Sequence, residues 1–172
     1  MENVIIRDIN QDELFRYFYR LAAEVECGNH FDFSNPRHEA WLRRKNARYE
    51  FCGARFFGLF LKNGTPVGYA VLLIEEFLEN VNNVFGQKTE LPAIGIIDDF
   101  RGKGYGKQLL DYAEDISRES GAYTMYISTY ARDYEVIAFY GRNGYAPVAT
   151  LPDVHGPGDE GQVFMRKIIN KQ

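Results

Sequence analysis

The stretch FRGKGYGKQLL, residues 100–110, constrains the fold more than any other part of this chain. An apolar run, AIGII at 93–97, ends just before it, and apolar residues recur at helical spacing just after it. We therefore predict a buried strand, a glycine-rich turn and an amphipathic helix from about residue 104 to residue 120. Gly121 suits the end of this helix, because glycine adopts the left-handed backbone of a C-cap without strain.

The rest of the chain alternates between strand and helix patterns. A strand pattern begins at Val4, and Asn10 or Asp12 can cap the helix that follows. A second helix is predicted to start at 34–36, and two apolar runs flank Asn63-Gly64 as in a β-hairpin. The last predicted elements are strands at 123–129, 145–150 and 162–168 and a short helix between Asp133 and Gly144. This order predicts a mixed α/β domain.

Composition narrows the class of protein. The 172 residues suit one domain, and 45% of them are hydrophobic, which is enough for a core. The formal net charge of -4 argues against a nucleic-acid coat protein. No stretch resembles a signal peptide or a membrane span, so we expect a cytoplasmic protein without a membrane partner. Cys27 and Cys52 form no metal-ligand pattern with the histidines, and we expect them to be buried free thiols.

Two familiar phosphate-binding motifs fit the glycine turn poorly. A Walker loop needs Ser or Thr after its Gly-Lys pair, but Gln108 follows Lys107 here. A dinucleotide fingerprint is spaced GxGxxG at the first strand-helix turn, whereas this turn is spaced GxGxG and comes late in the chain. Neither a magnesium-nucleotide site nor a dinucleotide site is therefore favoured.

A third interpretation of the turn is a helix N-terminus that binds a bulky anion. Glycines let the backbone approach the anion, and the helix dipole favours negative charge there. Arg101, Lys103 and Lys107 would add charge-assisted donors. The plain alternative is a strand-helix connection whose basic side chains only meet solvent.

A second segment, AFYGRNGY at 138–145, decides between these interpretations. The pattern Arg101-x-x-Gly104-x-Gly106, followed by Phe-Tyr-x-x-x-Gly-Tyr at 139–145, resembles the GNAT family, the GCN5-related N-acetyltransferases. The resemblance covers most of 55–168, while the N-terminal third agrees only in its strand-helix-helix layout. It implies the acyl-CoA N-acyltransferase fold: a mixed, mostly antiparallel central sheet of six to seven strands flanked by about four helices, in a single domain over 1–172.

The resemblance also implies an activity and a cofactor. It implies transfer of an acetyl group from acetyl-CoA to a primary amine by direct attack in a ternary complex. An alternative is a non-catalytic module of the same fold that binds or senses acyl-CoA. The family's pyrophosphate loop corresponds to Arg101, Gly102, Lys103, Gly104, Tyr105, Gly106 and Lys107, and the backbone of Ile94 and Ile96 would meet the pantetheine arm. One such N–H would stabilise the oxyanion.

Candidate catalytic groups follow from the same resemblance. Tyr140 would protonate the leaving thiolate, although a buried aromatic is the plain alternative. The strand before the loop lacks the family's acid, so Glu76, or its neighbour Glu75, is the candidate base, with a water relay as another possibility. Two positions depart from the family pattern, Asp98 and Glu135. An acidic loop around His155, containing Asp153, Asp159 and Glu160, would suit a cationic small-molecule or peptide amine, and an exposed polar hairpin loop is the plain alternative. The family also tends to form homodimers through its last strands.

Overall fold

The computed structural model describes residues 4–74, 87–153, 158 and 161–170. Its strands are β1 (Val4–Asp8), β2 (Arg55–Leu61), β3 (Pro66–Ile74), β4 (Lys88–Ile96), β5 (Thr124–Tyr130), β6 (Ala146–Leu151) and β7 (Gln162–Ile168). Its α-helices are α1 (Gln11–Cys27), α2 (Pro36–Phe51), α3 (Tyr105–Glu119) and α4 (Tyr134–Arg142). Short 3-10 turns occur at Gly28–His30 and Asp98–Phe100.

The seven strands form a mixed sheet in the order β1-β2-β3-β4-β5-β7-β6. β4 pairs with β5 in parallel, whereas β1 with β2, β2 with β3, β5 with β7 and β6 with β7 are antiparallel. The predicted class, a mostly antiparallel sheet of six to seven strands with about four helices, is thereby confirmed.

The chain folds as two compact units. Among the described residues, the first unit comprises 4–73 and 93–113, and the second comprises 74, 87–92, 114–153, 158 and 161–170. β4 passes from the second unit to the first after Pro92, and α3 passes from the first to the second after Ala113. A single domain over 1–172 stays a prediction.

In the first unit, local sequence fixes where the helices begin. The side chain of Asn10 accepts a hydrogen bond from the Glu13 backbone N–H at 2.9 Å, and Glu13 accepts one from the Asn10 N–H, which makes a capping box. The side chain of Asn35 accepts a hydrogen bond from the Arg37 backbone N–H at 3.0 Å and so caps α2, ahead of Pro36. Apolar side chains of α1, α2, β2 and β3 then form the core, among them Leu14, Phe18, Leu21, Leu42, Phe56, Phe60, Tyr69 and Val71.

One strand is longer than its sequence suggested. The apolar run predicts a strand at 93–97, but β4 begins at Lys88 and contains Pro92. Thr89 and Leu91 are buried while Lys88 and Glu90 are only partly buried, so this half of the strand alternates. An isolated polar stretch ending at a proline does not reveal this alternation as strand, because the pairing with β5 that stabilises it comes from elsewhere in the chain.

The cysteine prediction was right about pairing and wrong about burial. Cys27 and Cys52 are both free thiols. Cys27 is half-buried at the end of α1, but Cys52 is exposed, because it follows directly on Phe51, the exposed last residue of α2. Within the described ranges, every helix is too short or too polar to cross a bilayer.

Candidate active site

The loop between β4 and α3 has the geometry of an anion-binding turn. It leaves the strand through the 3-10 turn Asp98–Phe100 and enters α3 at Tyr105. Gly102 and Gly104 have φ values of +73° and +85°, which other residues rarely adopt. A Cβ atom added at either glycine would meet no atom of the described residues within 4 Å, so none of them covers the backbone on that side. The first N–H groups of α3 have no acceptor within the helix, as at any helix N-terminus.

The basic side chains of this loop are exposed and only loosely engaged. Arg101 is 60% exposed; its Nε donates to the Ile96 carbonyl at 3.0 Å and its guanidinium pairs with Asp98 at 2.8 Å. Lys107 pairs with Asp111 one turn further along α3, and Lys103 donates to the Asp99 carbonyl at 2.9 Å. Exposed pairs of this kind contribute only about 0–1 kcal/mol, so a phosphate can replace them at little cost. Tyr105, by contrast, is buried, and only its backbone can contact a ligand.

The end of β4 approaches its neighbours unusually closely. A Cβ atom on Gly68 of β3 would lie 2.5 Å from the Gly95 carbonyl oxygen, and one on Gly95 would lie 2.7 Å from Val25 of α1. Glycine at both positions permits this approach. The pairing of β4 with β5 runs from Lys88–Thr124 to Leu91–Ile127 and stops before Pro92, which has no N–H to donate. Ile94 and Ile96 are partly buried and lie beyond that pairing.

Tyr140 lies on α4 in the second unit and is almost fully buried. Its ring meets those of Phe139 and Tyr145 edge to face, at centroid distances of 5.2 and 5.6 Å. Its carbonyl accepts a hydrogen bond from the Tyr145 N–H at 3.1 Å. Burial raises the pKa of the Tyr140 phenol well above its ordinary value.

Sequence analysis missed a buried carboxylate in the same unit, Glu114. Both of its oxygens accept hydrogen bonds from Lys167, at 2.8 and 2.7 Å, and it also accepts from Tyr145 at 3.1 Å and Arg118 at 3.1 Å. Burial, and then the nearby carboxylate, raises the pKa of Tyr145. The cluster fixes Tyr145 against Tyr140, so it positions the aromatic pair that the second motif contributes.

A second buried carboxylate was missed in the first unit. Glu26 is on α1, one turn after the core residues Ala22 and Ala23, and its side chain pairs with Lys45 of α2. An acid on the apolar stripe of a helix was the available signal, since such a residue is seldom buried without a partner.

The structure brings only part of the predicted site together. Ile94, Ile96 and residues 101–107 are contiguous in the first unit, while Tyr140 belongs to the second. Asp98, Glu135 and Asp153 are exposed. The candidate base Glu76, its neighbour Glu75, and the loop residues His155, Asp159 and Glu160 lie outside the described residues. Among the residues described, no group of His, Cys, Asp and Glu is arranged to hold a metal ion.

Comparison with known proteins identifies the family. The sequence matches the family described as acetyltransferase (GNAT) family over residues 14–145. It is 32% identical, over 89 residues, to an aminoalkylphosphonate N-acetyltransferase of Salmonella typhimurium; the match covers 52% of this chain and spans about half, 55%, of that relative. Because the family match covers well over half of the chain, this protein belongs to the GNAT family of acetyltransferases.

Solved structures share the fold at low sequence identity. The ribosomal-protein-S18-alanine N-acetyltransferase of Escherichia coli is 18% identical with a TM-score of 0.71, covering 99% of this chain and 96% of that one. A Salmonella typhimurium protein solved with its cofactor acetyl-CoA is 19% identical with a TM-score of 0.67, again covering 99% and 96%. These similarities confirm the acyl-CoA N-acyltransferase fold.

Proposed function

We propose that this protein transfers an acetyl group from acetyl-CoA to a primary amine by direct attack in a ternary complex. The observation that carries the proposal is the loop at the N-terminus of α3, where Gly102 and Gly104 adopt positive φ and no described residue covers the backbone on their Cβ side. Family membership makes the diphosphate of coenzyme A the anion that fits such a loop. A solved structure of the same fold contains acetyl-CoA.

The donor would be held at two places in the first unit. The amides of residues 102–107 would bind the diphosphate, with Arg101, Lys103 and Lys107 as exposed cationic partners. The backbone of Ile94 and Ile96 would bind the pantetheine arm. One of these N–H groups would donate to the thioester oxygen as it becomes negatively charged, a contribution worth about 2.7–4 kcal/mol elsewhere.

The reaction consumes a neutral amine. Its nitrogen lone pair attacks the thioester carbon, the C–S bond breaks, and the amine loses a proton while the thiolate gains one. Tyr140 would supply the proton to the thiolate, because a positioned phenol can act as a general acid. The raised pKa of Tyr140 keeps its proton in place at neutral pH.

The acceptor's proton needs a base. The candidate from the sequence is Glu76. It rests on sequence alone, because Glu76 lies outside the described residues. The acceptor class is a small-molecule or peptide amine. An aminoalkylphosphonate is one candidate, since the relative from Salmonella typhimurium is named for that substrate.

Thiol release with an amine panel tests the proposal. The panel contains 2-aminoethylphosphonate, spermidine, an amino acid and a peptide with a free N-terminus. Release of free thiol with at least one amine is expected, together with calorimetric binding of acetyl-CoA but not of magnesium-ATP. Binding of acetyl-CoA without turnover of any amine would favour the alternative, a non-catalytic acyl-CoA-binding module. No binding of acetyl-CoA would refute both.

Two substitutions locate the roles. Arg101→Ala should weaken acetyl-CoA binding by about tenfold or more, because it removes a charge-assisted donor. Arg43→Ala, which removes another exposed, ion-paired arginine of the first unit, is the control.

Tyr140→Phe should lower kcat by on the order of a hundredfold while leaving acetyl-CoA affinity unchanged. Tyr134→Phe, an exposed tyrosine on the same helix, is its control. Unchanged kcat in Tyr140→Phe would remove Tyr140 from the mechanism.

A further inference from the structure

The interior of the first unit contains a polar niche, formed by Glu26 of α1, Lys45 of α2 and Tyr69 of β3. The Glu26 side chain is 2% exposed, and one of its oxygens, Oε2, pairs with the Lys45 ammonium. Lys45 also lies over the rings of Trp41 and Tyr49, at 5.2 and 5.8 Å from their centroids. The aromatic faces and the carboxylate together hold the Lys45 ammonium on Oε2.

Lys45 leaves part of the niche without a partner. The second oxygen of Glu26, Oε1, is buried and makes no hydrogen bond within the described part of the chain. The same is true of the Tyr69 hydroxyl, whose residue is fully buried. The two groups are near enough that the Glu26 charge, after burial, is the next cause of the raised pKa of Tyr69. Buried acceptors without partners are rare in folded proteins and call for an explanation.

Two of the niche residues, Glu26 and Tyr69, follow residues that approach the strand segment proposed to meet the thioester. Glu26 follows Val25, and a Cβ atom on Gly95 would lie 2.7 Å from Val25. Tyr69 follows Gly68, where a Cβ atom would lie 2.5 Å from the Gly95 carbonyl oxygen. Glu26 and Tyr69 are therefore each next in sequence to a residue that approaches Gly95 closely, and Gly95 lies between Ile94 and Ile96.

We propose that this niche binds the primary ammonium of the acceptor, which donates hydrogen bonds to Glu26 Oε1 and to the Tyr69 hydroxyl, and that Glu26 then accepts its proton. The inference rests on the proposed function and names the site of its second substrate. Lys45 stays on Oε2 throughout. The step converts an ammonium and a carboxylate into a neutral amine and a carboxylic acid, and it frees the nitrogen lone pair for attack on the thioester carbon.

The charges around the niche favour this proton transfer. Burial raises the pKa of Glu26, while Lys45 opposes the rise, so the carboxylate is a stronger base than an exposed one. The Lys45 cation also disfavours a second positive charge beside it, which helps the bound ammonium to lose its proton. Among the described residues, the titratable groups that interact with Glu26 are Lys45 from α2, Cys27 from α1 and Tyr69 from β3, and Tyr49 from α2 interacts with Tyr69.

Steady-state kinetics on four variants test the inference. Glu26→Gln should lower kcat/KM for the amine by on the order of a hundredfold or more and should abolish the acid limb of its pH profile. Tyr69→Phe should lower kcat/KM by roughly tenfold, as expected for one lost hydrogen bond. Glu24→Gln, an exposed acid on the same helix, should stay within twofold of the wild type. Glu76 is the competing candidate for the base. If Glu26 is the base, Glu76→Gln should keep the acid limb of the pH profile.

A binding measurement separates this inference from the proposed function. Calorimetry with 2-aminoethylphosphonate and spermidine, in the presence of coenzyme A, should give saturable binding that Glu26→Gln and Tyr69→Phe both weaken while coenzyme A affinity holds. If the wild type shows no turnover, this binding measurement still tests whether the niche binds the amine. The inference is overturned if the wild type binds neither probe, if Glu26→Gln keeps wild-type binding and pH profile, or if only Glu76→Gln loses the acid limb.

Discussion

Two buried carboxylates, one in each unit, invite comparison. The side chains of Glu26 and Glu114 are each 2% exposed, and each pairs with a lysine that is 31% or 26% exposed, respectively. Glu114 uses both oxygens, with Lys167, Arg118 and Tyr145 as donors. Glu26 uses one oxygen, and its other oxygen is buried with no hydrogen-bond partner among the described residues.

The difference separates a structural carboxylate from a reactive one. A buried charge with all of its hydrogen bonds made holds its neighbours in place, and removing it leaves them unpaired. A buried charge with an unused oxygen keeps the capacity to accept a hydrogen or a proton from a ligand. Glu114 should therefore matter mainly for stability, and Glu26 mainly for activity.

The largest expected effect is on stability. Glu114→Ala should lower the free energy of unfolding by about 3 kcal/mol, because the mostly buried Lys167 loses its ion-pair partner and Tyr145 loses its hydrogen bond. Urea denaturation measures the change, with Glu119→Ala, an exposed acid on the same helix, as the control. A loss below about 1 kcal/mol would break the comparison, since Glu114 would then not be structural.

A matched pair of phenols sharpens the comparison. Tyr145→Phe removes a hydrogen bond to a charged group and should cost about 1.5–3 kcal/mol of unfolding free energy. Tyr69→Phe removes a buried hydroxyl that has no partner among the described residues, so stability should be unchanged or slightly higher. Both variants keep the ring, and denaturation curves compare them directly. Equal losses would mean that the Tyr69 hydroxyl has a partner after all.

The smallest expected effect depends on pH. Because burial raises the folded pKa of Glu26 above its ordinary value of 4.5, the native state binds more protons between these two values than the unfolded state does. Wild-type stability relative to Glu26→Gln should therefore fall as pH rises through this window and stay level above it. Lys45 opposes the shift, and each pKa unit that remains is worth about 1.4 kcal/mol. Melting temperatures of both proteins across pH 4–8 measure the difference; a rise with pH would contradict the assignment.

Local sequence predicted most of the elements because their signals are short-range. Asn10 and Asn35 cap the helices that they precede, and Gly121 and Gly144 adopt the positive φ expected where helices end. Gly102 and Gly104 predicted a loop whose backbone a ligand can approach, and both adopt positive φ. The first half of β4 escaped because its polar residues are strand only through pairing with β5.

The sequence by itself determined the family, the order of the elements and the glycine-rich loop before α3, since each depends on residues close together in the chain. Tertiary structure alone decided which buried acids are satisfied. Two partners of Glu114, Tyr145 and Lys167, lie 31 and 53 residues further along the chain, and Lys45, which pairs with Glu26, comes from a different helix. The hydrogen bonds of a buried carboxylate depend on which elements pack around it, and the residues next to it in sequence do not reveal this.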